Sequence, residues 1–185
     1  MEAPKVARRQ NTFLAPIWLS LLGFAVLAVA SFALYARLTT TTVILVRHAE
    51  KQLGTIADPP LTQEGDERAQ RLARLFGEHA ALGSVQAIYA TSTRRAQATA
   101  APLAARLGLQ VITADDAPAA LARRVRREQH GGVALIVGHS NTIPAMVAAL
   151  TARADVPEMP EDEFGTIYVV SVPDVGRASV LALGY

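Results

Sequence analysis

Two apolar runs constrain this chain more than any other feature: each is short, rich in β-branched residues, and delivers a histidine at its end. The first, Val43 to Lys51, reads VILVRHAEK; the second, Val133 to His139, reads VALIVGH. An unbroken apolar run of this length reads as a strand covered on both faces, so helices must lie on both sides of the sheet. In open α/β sheets, ligand sites collect beyond the carboxyl ends of the strands. Arg47, His48 and His139 stand at those ends. The pattern predicts that the two strands share one sheet and that their histidines face each other.

The rest of the globular part alternates. A polar loop spans 52–60, and Thr62 is placed to cap a helix that runs to about Glu78. On that helix Glu64 with Arg68 and Glu67 with Arg71 have i,i+4 spacing and read as solvated surface. A strand over 85–90 leads through Thr91-Ser92-Thr93, three candidate caps, into a helix over 94–107. Pro102 inside it predicts a kink or a break, and Gly108 is a C-terminal glycine. A third strand over 109–113 precedes a helix over 118–129 carrying Arg123, Arg124, Arg126 and Arg127, read as a solvent-facing cluster. After the strand at 133–138, Thr142 is expected to cap a helix to Leu150, with Pro144 in its first turn. Strands over 166–172 and 178–183 are expected antiparallel, because 173–177 is too short for a crossover. The fold class is α/β, a three-layer α/β/α sandwich with a mostly parallel sheet.

One N-terminal transmembrane helix is expected before this domain. Phe13 to Ala36 is a run of 24 residues without a charge, against the roughly 20 that cross a bilayer. Trp18 and Tyr35 lie towards its ends, where interfacial aromatics belong. Lys5, Arg8 and Arg9 precede it, which places the N-terminus in the cytoplasm and everything after Arg37 outside. The division is then 1–12 basic terminus, 13–36 signal anchor bound to the lipid bilayer, 37–42 linker and 43–185 globular domain. The expected location is the cell inner membrane, single-pass, with the domain periplasmic. The alternative is a cleaved signal peptide, with Ala28-Val29-Ala30 as the site, leaving a soluble periplasmic domain.

Composition removes several chemistries. The chain has 18 basic and 16 acidic residues, of which residues 1–37 hold four and one, so the remainder carries 14 and 15 and is close to neutral. That balance does not suggest nucleic acid. There is no cysteine, which excludes disulfides, thiolate metal sites and a cysteine nucleophile. His48-Ala49-Glu50 lacks the cysteines of a zinc deaminase, Gly138-His139-Ser140-Asn141 lacks the second glycine of a nucleophile elbow, and no Walker A loop exists. His79 and His130 fall at helix ends, where a charged imidazole suits the dipole.

What remains is a set of cations and imidazoles. A phosphoryl group in transfer spreads negative charge over three oxygens, and fixed cationic donors stabilise it. Arginine grips two oxygens with a fork that stays charged, and Arg95 lies in a helix first turn whose amides also favour an anion. A histidine among such cations resists protonation and keeps a lone pair for attack on phosphorus. This chemistry asks for no metal and no cofactor.

These residues also carry a family resemblance. Arg47-His48-Ala49 resembles the Arg-His-Gly motif of the histidine phosphatase superfamily, the phosphoglycerate mutase-like proteins, with alanine for glycine. Leu61 to Gly65 resembles its Leu-Thr-x-x-Gly. Arg95-Ala96 with Thr99-Ala100 resembles its helix-opening block, with Thr91 in place of the serine, and Gly138-His139 its late Gly-His. The resemblance implies a phosphomonoester hydrolase on an α/β/α sandwich, with His48 as the phosphorylated nucleophile. It implies that Arg47, Arg95 and His139 form the phosphate pocket and that Glu50 helps to organise substrate binding. The leaving-group acid has no match: Ser140 follows the second histidine, and no glutamate lies near Ala119-Ala120. Asp58, Asp115, Asp116 and Glu163 are the candidates. The substrate would be a small phosphorylated molecule or a phosphoprotein. The competing reading is a membrane-anchored module that binds a phosphorylated ligand without turnover.

Overall fold

The computed structural model describes residues 14–54, 57–78, 83–152 and 156–185. The chain divides into two units, residues 1–35 and 36–185. His79 lies outside the described residues.

The elements run α1 (Leu14–Thr39), β1 (Thr41–Arg47), α2 (Gln63–Glu78), β2 (Ala87–Ala90), α3 (Arg94–Leu107), β3 (Val111–Thr113), α4 (Pro118–Glu128), β4 (Val133–Gly138), α5 (Thr142–Thr151), β5 (Thr166–Val172) and β6 (Ser179–Gly184). The α1 segment 17–39 has a mean hydropathy of 2.3 and is unburied, which makes it long and apolar enough for a membrane span or a signal sequence. Helix continues to Thr39 and β1 begins at Thr41, so only Thr40 lies between the two elements.

The six strands form one sheet in the order β3-β2-β4-β1-β5-β6. The β3-β2, β2-β4 and β4-β1 pairs are parallel, whereas β5 runs antiparallel to both β1 and β6. Both apolar runs are central and adjacent, with Arg47 opposite Gly138. Successive residues of a strand face opposite sides of its sheet, and the core divides accordingly. Val43, Leu45, Tyr89 and Ile136 pack with Leu121 and Val125 of α4 and Ile143 and Met146 of α5. Ile44, Val46, Ile88 and Leu135 pack with Leu72 of α2 and Leu103 of α3. Each fully buried side chain of this size contributes about 1.5–3 kcal/mol, which is why the charge-free runs occupy the middle of the sheet. The three-layer sandwich expected from the alternation is present.

One local expectation is narrowed and one is corrected. Of the kink or break expected at Pro102 the break is excluded, since α3 is helical from Arg94 to Leu107 and closes on Gly108 at φ 66°. Thr142 does not cap α5 but is its first residue, and Asn141 holds the cap position without a side-chain bond. The Thr142 hydroxyl instead accepts from the His139 amide at 2.8 Å, fastening the end of β4.

The segment that follows His48 is locked from two sides. Ala49 is fully buried with Leu61 and Ala69, and its amide donates to Thr99 Oγ1 at 2.9 Å. Thr62 receives the Gly65 amide at 3.1 Å, as an N-cap does. A Cβ on Gly65 would stand 2.3 Å from the Glu50 carbonyl oxygen. Alanine ordinarily gains about 1 kcal/mol over glycine inside a helix. Gly65→Ala is nevertheless expected to destabilise the protein by about 1–3 kcal/mol, the usual cost of overpacking, and a raised melting temperature would contradict this contact.

Candidate active site

The parallel pairing of β1 with β4 runs one step past the strands, since His48 N donates to Gly138 O at 2.9 Å. Both histidines thereby emerge at the same sheet edge, and their rings meet edge to face with centroids 5.2 Å apart. They line a cavity of about 980 Å³ together with Arg47, Arg95 and Glu50. All five residues singled out from the sequence are therefore in one place.

His48 is 3 % exposed. Its Nδ1 lies 2.8 Å from Ala49 O. A carbonyl can only accept, so the proton sits on Nδ1 and Nε2 keeps the lone pair. Burial, reinforced by His139, Arg95 and Arg47, lowers the imidazole to about 4, with the Ala49 bond opposing. His48 is thus a neutral base at pH 7. His139 is also lowered, by burial first and then by Arg95 and Arg47; its Nε2 lies 3.0 Å from Thr91 Oγ1.

Arg47 is 4 % exposed. Its Nη1 donates to Pro160 O at 2.7 Å and Glu163 O at 2.9 Å, and its guanidinium lies 4.2 Å over the Phe164 ring. That stacking is a cation–π contact. Arg95 Nη1 lies 3.3 Å from Asp58 Oδ1. The Nε atoms of Arg47 and Arg95 are buried with no hydrogen-bond partner among the described residues. A buried donor without a partner costs about 1–3 kcal/mol, and both arginines line the cavity. The donor set fits a phosphoryl group.

Three expectations about the surroundings change. Arg68 is not a solvated partner of Glu64: it clasps Glu50 with Nε at 2.8 Å and Nη2 at 2.5 Å, and its Nη1 donates to Tyr185 O. The sequence hid this because i,i+4 spacing offered a nearer partner, while Glu50 is reached only by folding. Burial pushes the Glu50 carboxyl up, but the Arg68 hydrogen bond, a backbone hydrogen bond and the charges of Arg68 and Arg71 together make the net direction down. The first amide of α3 is not open to a ligand, because Arg94 N donates to Asp58 at 3.0 Å. The four candidate acids are all engaged. Asp58 holds Arg94 and Arg95, Asp115 receives Ser92 N, Asp116 pairs with Arg124, and Glu163 accepts from the Thr166 hydroxyl. Outside the site, His130 pairs with Asp174 at 2.9 Å.

The cavity lining also includes Phe164, Glu64, Glu161 and Asp162, which sequence reasoning missed. Glu64 falls on an unspecified position of the Leu61 to Gly65 block, and no motif marks the other three; the turn after Pro160 comes to the site only because β5 lies beside β1.

Comparison with known proteins agrees with this architecture. Residues 43–117 match the family model of the histidine phosphatase superfamily, branch 1. No curated protein matches the chain significantly. Among solved structures, the mycobacterial glucosyl-3-phosphoglycerate phosphatase is 18 % identical with a TM-score of 0.60, covering 76 % of this chain and 100 % of its own. The protein histidine phosphatase SixA, solved with tungstate, is 17 % identical with a TM-score of 0.63, covering 77 % and 96 %. A phosphoserine phosphatase from Entamoeba histolytica is 15 % identical with a TM-score of 0.60, covering 78 % and 97 %. The resemblance to the histidine phosphatase superfamily is borne out in sequence over residues 43–117 and in fold over the domain.

Proposed function

We propose that the protein is a phosphomonoester hydrolase that works through a phosphohistidine on His48. The observation that carries this is the pairing of a neutral imidazole, its Nε2 unprotonated, with the guanidinium groups of Arg47 and Arg95, whose buried Nε atoms lack partners among the described residues. The substrate phosphoryl group would be held by Arg47, Arg95 and His139. Attack by His48 Nε2 forms the N–P bond as the ester P–O bond breaks, and the leaving oxygen takes up a proton from bulk water. A second water then bonds to phosphorus and gives its proton to solvent as the N–P bond breaks, so inorganic phosphate leaves and His48 Nε2 regains its lone pair. Charge development on the equatorial oxygens is met by donors fixed beforehand, so the step needs little reorganisation. The route is proposed as metal-independent, with this donor set supplying the positive charge.

The full chain in detergent, mixed with a radiolabelled aryl phosphate and quenched in alkali, should carry an alkali-stable, acid-labile label at His48. Rapid turnover with no trapped label on any histidine would defeat the covalent route.

A reaction requiring the neutral ring should hold its kcat/KM as pH falls from about 8 to about 5 and lose it near 4, after correction for the ester's own ionisation. A profile that falls with a midpoint near the ordinary imidazole value of about 6.5 would argue against His48 as the base form.

The second reading, a binding module without turnover, is favoured by one observation: each of the four expected acids is committed to another group. Esters with good leaving groups need least help from an acid. Tight phosphate binding without release of an aryl alcohol would decide for the module.

The N-terminal helix supports an anchored, exported domain, with Lys5, Arg8 and Arg9 held on the cytoplasmic side. An alkaline phosphatase fusion after Tyr185 should be active in intact cells, and a silent fusion would reverse this orientation.

A further inference from the structure

We propose that the substrate is a phosphomonoester that also bears positive charge, its phosphate on the arginine floor and its cation against Glu64, Glu161 and Asp162 at the mouth. This deepens the hydrolase reading and rests on it. The same cavity contains both sets of groups. Below, the guanidinium groups of Arg47, 4 % exposed, and of Arg95 line the cavity and favour an anion. Above, Glu64, Glu161 and Asp162 are exposed and form no ion pair or hydrogen bond among the described residues. Glu50, the other carboxylate of the lining, is already neutralised by Arg68. Lys51 is the cation at the mouth, so the rim carries three carboxylates without a hydrogen bond or ion pair among the described residues against one ammonium, and the charges of Glu161 and Asp162 also act at longer range on Arg47.

This arrangement is selective. A simple dianionic ester must pass carboxylates that repel it before it reaches the guanidinium groups. An ester flanked by ammonium or guanidinium groups is drawn by the rim as well as by the floor. Charges of one sign at an entrance act against the wrong partner as much as for the right one. The carboxylates come from separate elements, Glu64 from the start of α2 and Glu161 and Asp162 from the turn before β5, so the rim is not one charged run. Two sources share this chemistry: a phosphorylated polypeptide with basic neighbours, and a low-molecular-weight amino phosphate.

The test uses the full chain in non-ionic detergent and two matched pairs of esters. One pair is a phosphotyrosine peptide flanked by lysines or by glutamates. The other is 2-aminoethyl phosphate or 2-carboxyethyl phosphate. The cationic member should be preferred in kcat/KM by about 10-fold at low salt, falling below about 3-fold at 0.5 M salt, since exposed charges are screened. Glu64→Gln and the double variant Glu161→Gln/Asp162→Asn should each shrink the ratio measured within one protein. Glu64→Gln leaves the Pro160 and Glu163 carbonyls that hold Arg47 untouched, so a fold defect cannot imitate its effect. A preference confined to the peptides identifies a polypeptide substrate, and one shared by the small pair identifies charge on a small ester as sufficient. Equal rates within both pairs at low salt, or a ratio unmoved by both variants, would overturn the proposal while leaving the hydrolase intact. Dissociation constants on His48→Ala separate the other failure: a charge preference in binding with no turnover by the unaltered chain would sink the hydrolase and keep the charge selectivity.

Discussion

His48→Ala is expected to lower kcat on an aryl phosphate by about 10⁴-fold or more and to abolish histidine labelling, while the protein still folds. The size follows from losing the nucleophile outright, since knocking out one member of a catalytic unit costs nearly the whole of its effect. Folding survives because, among the described residues, the His48 side chain's one hydrogen bond is to the adjacent Ala49 carbonyl. The same substitution should alter acid stability in a defined direction. With the folded-state value near 4 and an unfolded value of about 6.5, the unfolded chain binds more protons between the two. The parent therefore loses stability as pH falls through that window. The variant lacks this penalty, so its melting temperature relative to the parent should rise between about pH 6.5 and 4. Substantial residual turnover would show that another group attacks phosphorus. An unchanged melting difference across the window would show that the ring is not held neutral.

Arg47→Ala is expected to reduce kcat/KM by about 10²–10³-fold, in the range seen when one preorganised donor is removed from a developing anion. Arg47→Lys should rescue little of it. A lysine keeps the charge but has no planar fork. It cannot hold the Pro160 and Glu163 carbonyls and stack on Phe164 while keeping a further N–H unpartnered, as Arg47 does among the described residues. Both variants should also loosen the turn carrying Glu161 and Asp162, measurable as faster amide exchange around Phe164. Full activity in Arg47→Lys would mean that this position supplies only charge, and would remove the geometric argument for the phosphoryl pocket.

The central strands were legible because an uncharged β-branched run cannot sit comfortably anywhere but inside a sheet covered on both faces. Val43 to Val46 and Val133 to Val137 occupy its middle. The placing of His48 and His139 followed from the same fact, since polar groups must leave the core where the strand ends. Arg95 was legible from its place after a strand and at a helix start. Thr142 was misread because a hydroxyl at a helix start can serve either the helix or the residue before it, and here it serves His139. The commitments of the four acids were not legible at all. A carboxylate shows its charge in sequence, but whether it meets Ser92, Arg94, Arg124 or Thr166 depends on chain segments brought together later.

By itself, the order of apolar and polar residues determined a sandwich with a cationic, histidine-bearing edge, because burial of uncharged strands is a local compositional demand. Only the tertiary structure decided which tautomer His48 holds, which cations keep an unpartnered donor, and which carboxylates carry no hydrogen bond or ion pair among the described residues at the mouth. Those are properties of pairings between residues as far apart in the chain as Arg47 and Glu163. A hydrogen bond has a direction and a length that no linear spacing encodes.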